Sequence, residues 1–263
     1  MHTALSASLA DEVPVALVFN GISHAVMMAT PLHLEDFALG FALTEGLVDQ
    51  ASHVYGVEVI EQSQGIELQI DIAAQCEARL KERKRSMAGR TGCGLCGTDS
   101  LEQVKLVLPQ APEVHLDIQA MQRAHAGLRA LQPLKLQTGA THAAAWSDAN
   151  GAIHIVREDV GRHNALDKLI GAMSKAHVDA TQGFICITSR ASFEMVQKTI
   201  QSGAGALTAV SAPTRLAADI AQSHNLLLAG QVRSDTFTAY SFPERFTPTA
   251  TTEQRETETH GHP

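Results

Sequence analysis

The sequence predicts an α/β fold, and three observations support that prediction. Short apolar runs alternate with segments of helical periodicity through the second half of the chain, a pattern typical of a sheet with helices on its faces. Asn-Gly pairs at 20–21 and 150–151 each indicate a β-hairpin. With 263 residues the chain can bury a substantial core. We expect an N-terminal α+β subdomain over 1–112, ending in a cysteine-containing loop, and an α/β domain over 113–246.

The N-terminal subdomain is predicted from paired strand signals and an apolar helix. The helix begins at Thr30-Pro31, because proline is favoured in a first turn, and it carries Leu34 and Phe37 at helical spacing. A second, basic helix is expected over 73–88. The predicted strands of this subdomain lie at 15–19, 25–28, 54–60, 66–72 and 104–108.

The second domain alternates strands with helices. Ser192 is expected to cap one helix, because an N-cap hydroxyl accepts a backbone N–H bond, and Pro133 is expected to end another. Residues 247–263 are rich in threonine and glutamate and lack apolar anchors, which predicts a disordered tail. The predicted helices lie at 117–131, 166–173, 192–200 and 211–220, and the strands at 141–146, 152–156, 184–188, 207–210 and 226–229.

Composition and charge argue against several classes of function. The net charge is −8, so we expect no nucleic-acid partner. No apolar run approaches the roughly 18 residues of a membrane helix, and residues 1–13 lack the regions of a signal peptide. Four cysteines without even spacing do not form a disulfide framework. We therefore expect a cytoplasmic protein without a membrane partner.

A glycine-rich loop at 89–97 carries the most distinctive chemistry, with Cys93 and Cys96 two residues apart. Glycine allows close approach of another molecule to the main chain, and a loop with this much glycine is poorly suited to packing. Nearby positive charge favours the thiolate, which is the nucleophilic form of cysteine. The basic side chains around this position are Arg79, Lys81, Arg83, Lys84, Arg85 and Arg90. The pattern indicates a mobile loop that carries a reactive sulfur.

Other interpretations of the cysteine pair stay open. A Cys-x-x-Cys pair can be half of a zinc site, but the chain has no second such pair, so zinc would have to recruit histidines. A thioredoxin-like redox pair normally opens a helix directly after a strand, whereas this pair follows a charged, helix-like segment. A run of basic residues is also the usual composition of a solvated helix face.

Four polar clusters fall at predicted strand ends or helix starts of the second domain. They combine Arg, Lys, His, Asn and hydroxyl side chains with backbone N–H groups, which are the parts of a phosphate or guanine pocket. Any one cluster alone is more typical of a cap or a turn, but four in succession favour a binding site. The clusters lie at 138–142, 157–164, 189–198 and 210–215.

The same motifs argue against deaminase chemistry. A zinc nucleoside deaminase requires His-x-Glu followed by Pro-Cys-x-x-Cys. Here Gly92 precedes Cys93, and the cysteine pair comes before the polar histidines in the chain. We therefore expect no deamination.

Four long motifs occur in a fixed order along the chain. They are Gly-Arg-Thr-Gly-Cys-Gly-Leu-Cys-Gly at 89–97, Arg-Glu-Asp-Val-Gly-Arg-His-Asn-Ala-Leu-Asp-Lys at 157–168, Ser-Phe-Glu-Met-Val-Gln-Lys at 192–198 and Ala-Val-Ser-Ala-Pro-Thr at 209–214. With weaker matches near the N-terminus, they resemble the FdhD family of formate dehydrogenase accessory sulfurtransferases. The resemblance covers about residues 10–246.

The resemblance implies a cytidine-deaminase-like three-layer sheet domain and a homodimer. It implies a sulfurtransferase that takes sulfur from a cysteine desulfurase as a persulfide. The sulfur passes to the molybdenum bis-guanine-dinucleotide cofactor, which is cargo that then enters formate dehydrogenase. By motif position Cys93 is the expected persulfide cysteine and Cys96 its partner, so both are predicted catalytic residues. No resident metal is expected.

Cofactor-binding residues are expected from two sources. The resemblance points to the stretch Gln231, Val232, Arg233, Ser234, Asp235 and Thr236, and the polar clusters add His142, Arg162, His163, Asn164 and Lys198. The chain departs from the family pattern at Ala140, where glycine is usual, and at Gln231, where an aromatic is common. An alternative function is a non-catalytic chaperone that holds the cofactor and carries no persulfide.

Overall fold

The computed structural model describes residues 8–78, 80 and 107–248, which form two main sheets. The first sheet has the strand order β2-β1-β4-β3, with β1 parallel to β4 and the other neighbours antiparallel. Its strands are β1 Val13–Phe19, β2 Ile22–Ala29, β3 Val54–Gln62 and β4 Gly65–Ile72. Helix α1, Leu34–Thr44, shares an apolar core with this sheet. Helix α2 begins at residue 74, directly after β4.

The second sheet has six strands in the order β11-β10-β9-β8-β6-β7. Strands β7, β8, β9 and β10 run in one direction, and β6 and β11 run against them. The strands are β6 His142–Asp148, β7 Ile153–Asp159, β8 Gly183–Ile187, β9 Ala206–Ala209, β10 Leu227–Gly230 and β11 Thr238–Ala239. The helices are α3 Ile118–Leu128, α4 Pro133–Thr138, α5 Arg162–Lys175, α6 Phe193–Gln201 and α7 Arg215–Ser223. Two short strands, β5 Leu116–Asp117 and β12 Phe246–Thr247, pair with each other.

Helices cover both faces of the six-stranded sheet, because successive strand residues point to opposite sides. In β8, Ile185 and Ile187 join the core formed with α5, α6 and α7. Their neighbours Phe184 and Cys186 join a separate core with α3, which contributes Met121. The sheet is therefore the middle of three layers.

Helix α1 also packs against α5, and two glycines set how closely the helices approach. A Cβ atom at Gly40 would lie 1.7 Å from the carbonyl oxygen of Asp167, and one at Gly171 would lie 1.9 Å from that of Asp36. Only glycine lets two backbones come this close. We call this contact the α1–α5 junction; it joins the N-terminal sheet to the larger one.

A buried ion pair lies at the same junction. The ammonium of Lys168 donates to Asp159 Oδ2 at 2.6 Å and to the carbonyl oxygen of Thr30 at 2.8 Å. Both charged side chains are fully buried. Asp159 Oδ2 also accepts the backbone N–H of Thr30 at 3.0 Å. Strand β7 and helix α5 are thereby bonded to the segment that connects β2 with α1.

The α/β class and most predicted elements are confirmed. Both Asn-Gly pairs form hairpin turns, and the first has the positive φ angles of 47° at Asn20 and 74° at Gly21 that such turns require. The strand predicted at 104–108 is absent at 107–108, and its other residues lie outside the described part of the chain. The basic helix predicted at 73–88 is seen from residue 74, and most of it lies outside that part.

One boundary prediction is incomplete and one is wrong. The helical residues before Pro133 end at Leu131, as predicted, but Pro133 also begins α4, which was not predicted, because proline is favoured at the first helical position. The disordered tail cannot begin at Thr247, which pairs with Asp117 in the β12–β5 ladder; residues 249–263 lie outside the described part. The boundary at 112 and the likeness to cytidine deaminases stay predictions. Within the described ranges, no helix has the length and apolar character needed to cross a membrane.

Candidate functional site

One edge of the six-stranded sheet brings the predicted polar clusters together. The carboxyl ends of β7, β8, β9 and β10 meet there with the amino end of β6. His142, the first residue of β6, pairs with Asp159, the last of β7, and Ile187 of β8 pairs with Ala209 of β9. We call this the carboxyl edge. In open α/β sheets ligands bind outside the carboxyl ends of the strands.

Helix α5 begins at the carboxyl edge, and Asn164 in its first turn has a structural role. Its amide nitrogen donates to the carbonyl oxygen of Met28 at 2.8 Å and to Asp159 Oδ1 at 3.0 Å. The N-cap Gly161 donates its backbone N–H to the same Asp159 oxygen at 2.7 Å. Asn164 therefore fixes the start of α5 against β2, and its amide points inward.

Arg162 places a positive charge at this edge, and His163 lies next to it at the start of α5. Nε2 of His163 lies 2.8 Å from Glu194 Oε2. Burial alone would raise the pKa of Glu194, but His163 and the charge of Arg162 hold that pKa below its ordinary value. Burial lowers the pKa of His142, and the charges of Lys135, Arg162 and His163 lower it further. A negative ligand at this edge would be attracted by the charges of Lys135 and Arg162.

Besides His163 Nε2, whose only close polar neighbour is Glu194, two buried polar atoms at the starts of α5 and α6 have no hydrogen-bond partner among the described residues. They are Arg162 Nε and Ser192 Oγ. Ser192 does occupy the predicted N-cap of α6, yet its hydroxyl makes no cap bond. Thr214, by contrast, caps α7 by accepting the N–H of Ala217 at 3.3 Å. Because buried polar groups are normally paired, the two orphaned atoms are suited to hold polar atoms of a ligand.

The stretch 231–236 forms a tight loop after β10, at the same edge. Gln231 has a left-handed backbone with φ 54°, and its side-chain oxygen accepts from Thr238 Oγ1 and Tyr240 Oη, each at 3.1 Å. A guanidinium nitrogen of Arg233 donates to the carbonyl oxygen of Val210 at 2.7 Å. The loop is therefore anchored to the end of β9. Val232 is buried, whereas Arg233, Ser234, Asp235 and Thr236 are exposed to solvent.

Lys198 lies on α6, but its ammonium points away from solvent. It donates to both carboxylate oxygens of Asp167, at 2.9 and 3.1 Å, to Thr44 Oγ1 at 2.9 Å and to Glu45 Oε1 at 2.8 Å. Burial acts to lower the pKa of Lys198, but the carboxylates of Asp167 and Glu45 raise it above the ordinary value. An ammonium has three N–H groups, and these contacts use them all. Direct binding of a ligand by Lys198 stays a prediction that would require this network to open.

Sequence reasoning placed Glu158 in the polar cluster at 157–164 but missed its role, which is to position helix α4 at the carboxyl edge. Its carboxylate accepts the backbone N–H groups of Leu134 and Lys135, both at 2.9 Å, and the hydroxyl of Thr141 at 2.9 Å. These bonds bring the positive charge of Lys135 to this edge. Pro133 was the sequence signal that could have indicated helix α4, since proline often occupies the first position of a helix.

The predicted catalytic residues Cys93 and Cys96, with the whole loop 89–97, lie outside the described residues. Cys186 is buried in β8, where burial raises the pKa of its thiol to about 12. Its sulfur accepts the hydroxyl of Thr208 at 3.4 Å. A thiol with so high a pKa has almost no thiolate at neutral pH, so Cys186 is a structural residue.

Comparisons with known proteins agree with the motifs. The model of the FdhD/NarQ family matches residues 10–247. A relative from Cupriavidus necator, named sulfur carrier protein FdhD, is 55% identical over 238 residues, which are 90% of this chain and 83% of that protein. A relative of the same name from Variovorax paradoxus is 56% identical, covering 90% of this chain and 86% of that protein.

A solved structure extends the likeness to the fold. It is that of a protein from Desulfotalea psychrophila assigned as a formate dehydrogenase accessory protein, with a TM-score of 0.71 and 22% identity. The match covers 91% of this chain and 90% of that one, so the mixed α/β architecture is shared almost throughout. Since the family model spans nearly the whole chain and its relatives share half of its residues, the chain belongs to the FdhD/NarQ family.

Proposed function

We propose that this chain is a sulfur carrier that serves formate dehydrogenase maturation. It accepts sulfur from a cysteine desulfurase as a persulfide on Cys93. It then delivers this sulfur to the molybdenum bis-guanine-dinucleotide cofactor, its cargo, before the cofactor enters formate dehydrogenase. The observation that carries the proposal is membership of the FdhD/NarQ family over residues 10–247, with relatives at 55% identity that are named sulfur carrier proteins.

The carboxyl edge supports a role in holding the cargo. A guanine dinucleotide carries phosphate groups, which arginines and helix N-termini bind well. Helices α5 and α6 begin at this edge with Arg162 and Ser192, whose buried Nε and Oγ atoms lack partners in the described structure. These atoms can bind a ligand without breaking an internal bond. The exposed guanidinium of Arg233 adds a third group on the neighbouring loop.

Sulfur loading is a thiol exchange in which atoms and charge balance. The thiolate of Cys93 attacks the terminal sulfur of the desulfurase persulfide; a new S–S bond forms as the old one breaks, and the desulfurase leaves as a thiolate. Exchange is fastest when the attacking thiol has a pKa near the ambient pH. A free cysteine titrates at about 8.5, so neighbouring basic residues need to lower that value only modestly. On delivery Cys93 leaves as a thiolate, and the recipient centre supplies the two electrons that convert the sulfur to sulfide.

Intact mass spectrometry tests the loading step. The chain is incubated with a cysteine desulfurase and cysteine, and we expect a mass gain of one sulfur atom that a thiol reductant reverses. Cys93→Ala should abolish the gain, while the matched variant Cys186→Ala, at a buried thiol, should keep it. Loading that persists in Cys93→Ala, or a wild-type chain that never gains sulfur, would refute the persulfide step.

A second candidate is a chaperone that only holds the cofactor. One observation favours it: two buried polar atoms at the carboxyl edge lack a hydrogen-bond partner among the described residues, and neither belongs to the cysteine loop. Binding of GDP, used as a probe of the guanine end, separates the two functions. A sulfur carrier should bind GDP and also gain sulfur on Cys93. A chaperone should bind GDP with the same affinity in wild type and Cys93→Ala and gain no sulfur in either.

Family membership also supports three finer proposals. These are a homodimer, a cytoplasmic location, and a sheet arrangement related to that of cytidine deaminases. Light scattering coupled to gel filtration measures the mass in solution, and a monomer at working concentration would contradict the first of them.

A further inference from the structure

A cluster of metal-ligating side chains lies in the N-terminal subdomain, and nothing in the sulfur-carrier function uses it. Asp49 and His53 flank a short turn before β3, and Cys76 lies in the first turn of α2. One ligand atom from each residue lies within 4.8 Å of the other two. The two segments are already joined, because the N–H of Ala73 donates to the carbonyl oxygen of His53 at 2.8 Å.

Both neighbours approach the same ring nitrogen of His53. Nδ1 lies 3.7 Å from the sulfur of Cys76 and 3.9 Å from Asp49 Oδ2. An imidazole nitrogen carries either one proton or one lone pair, so it can make a good hydrogen bond to only one of them. The distance to Asp49 is too long for a hydrogen bond. Cys76 and Asp49 therefore compete for one nitrogen of His53, whereas a metal ion bound among the three close ligand atoms would contact all of them at once.

The two distances to His53 Nδ1 can be compared with those in a tetrahedral zinc site. Zinc bonds of about 2.3 Å to sulfur and about 2.0–2.1 Å to nitrogen and oxygen put S and N about 3.5 Å apart, and N and O about 3.4 Å apart. The Cys76–His53 distance of 3.7 Å is already close to its ideal value. The Asp49–His53 distance of 3.9 Å requires Asp49 to move by about half an ångström. The side chain of Asp49 is 60% exposed, so a shift of this size does not require the surrounding core to repack.

We propose that Asp49, His53 and Cys76 bind one Zn²⁺ ion. Thiolate, imidazole and carboxylate are the three ligand types that zinc takes in proteins, whereas a thiolate disfavours Mg²⁺ and Ca²⁺. A water on the exposed side of Asp49 supplies the fourth position. The ion would fix the first turn of α2, which precedes the cysteine loop in the sequence, to the turn before β3. This site goes beyond the sulfur-carrier function and does not depend on it.

Two glutamines contact the other ring nitrogen of His53. The side-chain amides of Gln50 and Gln75 each lie 3.0 Å from Nε2. When Nδ1 binds a metal, Nε2 carries the proton and must donate it, and a glutamine oxygen is an acceptor of the right kind once the amide is turned. Such groups orient a metal-binding histidine, and their loss commonly weakens metal affinity about 10–100-fold.

Cys93 and Cys96 could also bind added metal, so both must be replaced before metal binding at the proposed site is measured. We would use the full-length chain with Cys93→Ser and Cys96→Ser, load it with Zn²⁺ or Co²⁺, dialyse it and measure bound metal. The expected result is one ion per chain and, for Co²⁺, a near-ultraviolet charge-transfer band from a thiolate ligand. Adding Cys76→Ser should remove that band, and adding Cys186→Ala, at the other buried cysteine, should leave it unchanged.

Two milder variants keep the test decisive if Cys76→Ser fails to fold. Asp49→Asn changes an exposed ligand, and Gln75→Ala removes an orienting group; each should weaken Zn²⁺ binding about tenfold or more in competition with a chelator dye. The proposal is overturned if the loop-deficient chain retains no metal after dialysis. It is also overturned if a folded Cys76→Ser chain keeps the thiolate band, or if Asp49→Asn and Gln75→Ala bind Zn²⁺ as tightly as the parent.

Discussion

The α1–α5 junction and the carboxyl edge are both rich in buried polar groups, but they differ in whether those groups have hydrogen-bond partners. At the junction Lys168 and Asp159 are fully buried and bonded to each other. At the carboxyl edge Arg162 Nε and Ser192 Oγ are buried without a hydrogen-bond partner in the described structure. The bonds of a paired group offset much of the cost of burying it, whereas an unpaired donor or acceptor costs about 1–3 kcal/mol. The difference separates polar groups that hold the fold from groups that are available to a ligand.

The largest effect should come from breaking the pair at the junction. Lys168→Met keeps most of the length of the side chain but leaves the carboxylate of Asp159 buried without its cation. We expect the free energy of unfolding to fall by about 3–5 kcal/mol, as measured by urea denaturation. Arg215→Met is the control, since Arg215 and Asp219 form an exposed pair at 3.1 Å and its loss should cost about 0.3–0.5 kcal/mol. Equal losses of unfolding free energy in the two variants would show that the buried pair at the junction matters no more for stability than an exposed pair.

The next effect tests how closely the two helices must approach. Gly40→Ala places a methyl group 1.7 Å from the carbonyl oxygen of Asp167, so α1 must move away from α5. Overpacking of this kind costs about 1–3 kcal/mol, and we expect a matching fall in stability to urea. Gly127→Ala in α3 meets no atom within 4 Å; it should be neutral or stabilising by up to about 1 kcal/mol, because alanine favours helix. A tolerated Gly40→Ala would mean that the junction can widen freely.

Local sequence signals predicted the elements of both regions but not which polar groups are paired. Hairpins follow from Asn-Gly pairs, and helices follow from apolar spacing, because both depend on neighbouring residues. Ser192 and Thr214 precede helices in the same way, yet only Thr214 forms the cap bond. The direction of Lys198 depends on Asp167 and Thr44, which are distant in the sequence.

Long-range contacts explain the other omissions. The strands β5 and β12 have two residues each, and they exist because Leu116 pairs with Phe246 at the far end of the described chain. The cluster of Asp49, His53 and Cys76 contains one residue from α2 and two from a turn more than twenty residues earlier. Neither forms a spacing motif of the Cys-x-x-Cys kind. The Cys93 motif could be recognised from sequence because all of its chemistry lies in nine consecutive residues.

Arg162 should affect binding without affecting stability, which is the reverse of Lys168. Arg162→Gln removes a charged donor whose Nε has no partner in the described structure. A charge-assisted bond is worth about 1.5–3 kcal/mol, so GDP affinity should fall about 10–100-fold in isothermal titration calorimetry, while the Tm stays the same. Arg123→Gln is the control, because Arg123 binds the carbonyl oxygen of Asn150 in the turn at the opposite edge of the sheet. Unchanged GDP affinity in Arg162→Gln would place the ligand elsewhere.

The smallest effect compares the two N-cap hydroxyls. Thr214→Ala removes a cap bond to Ala217 and should cost about 1 kcal/mol of stability. Ser192→Ala removes a hydroxyl without a partner in the described structure, so the free protein should lose less than about 0.5 kcal/mol. Urea denaturation with and without GDP reveals the difference: GDP should stabilise Thr214→Ala as much as wild type, and Ser192→Ala less. If Ser192→Ala instead loses as much stability as Thr214→Ala without GDP, the hydroxyl of Ser192 stabilises the fold. The buried polar groups of the carboxyl edge would then be paired within the protein, as those of the junction are.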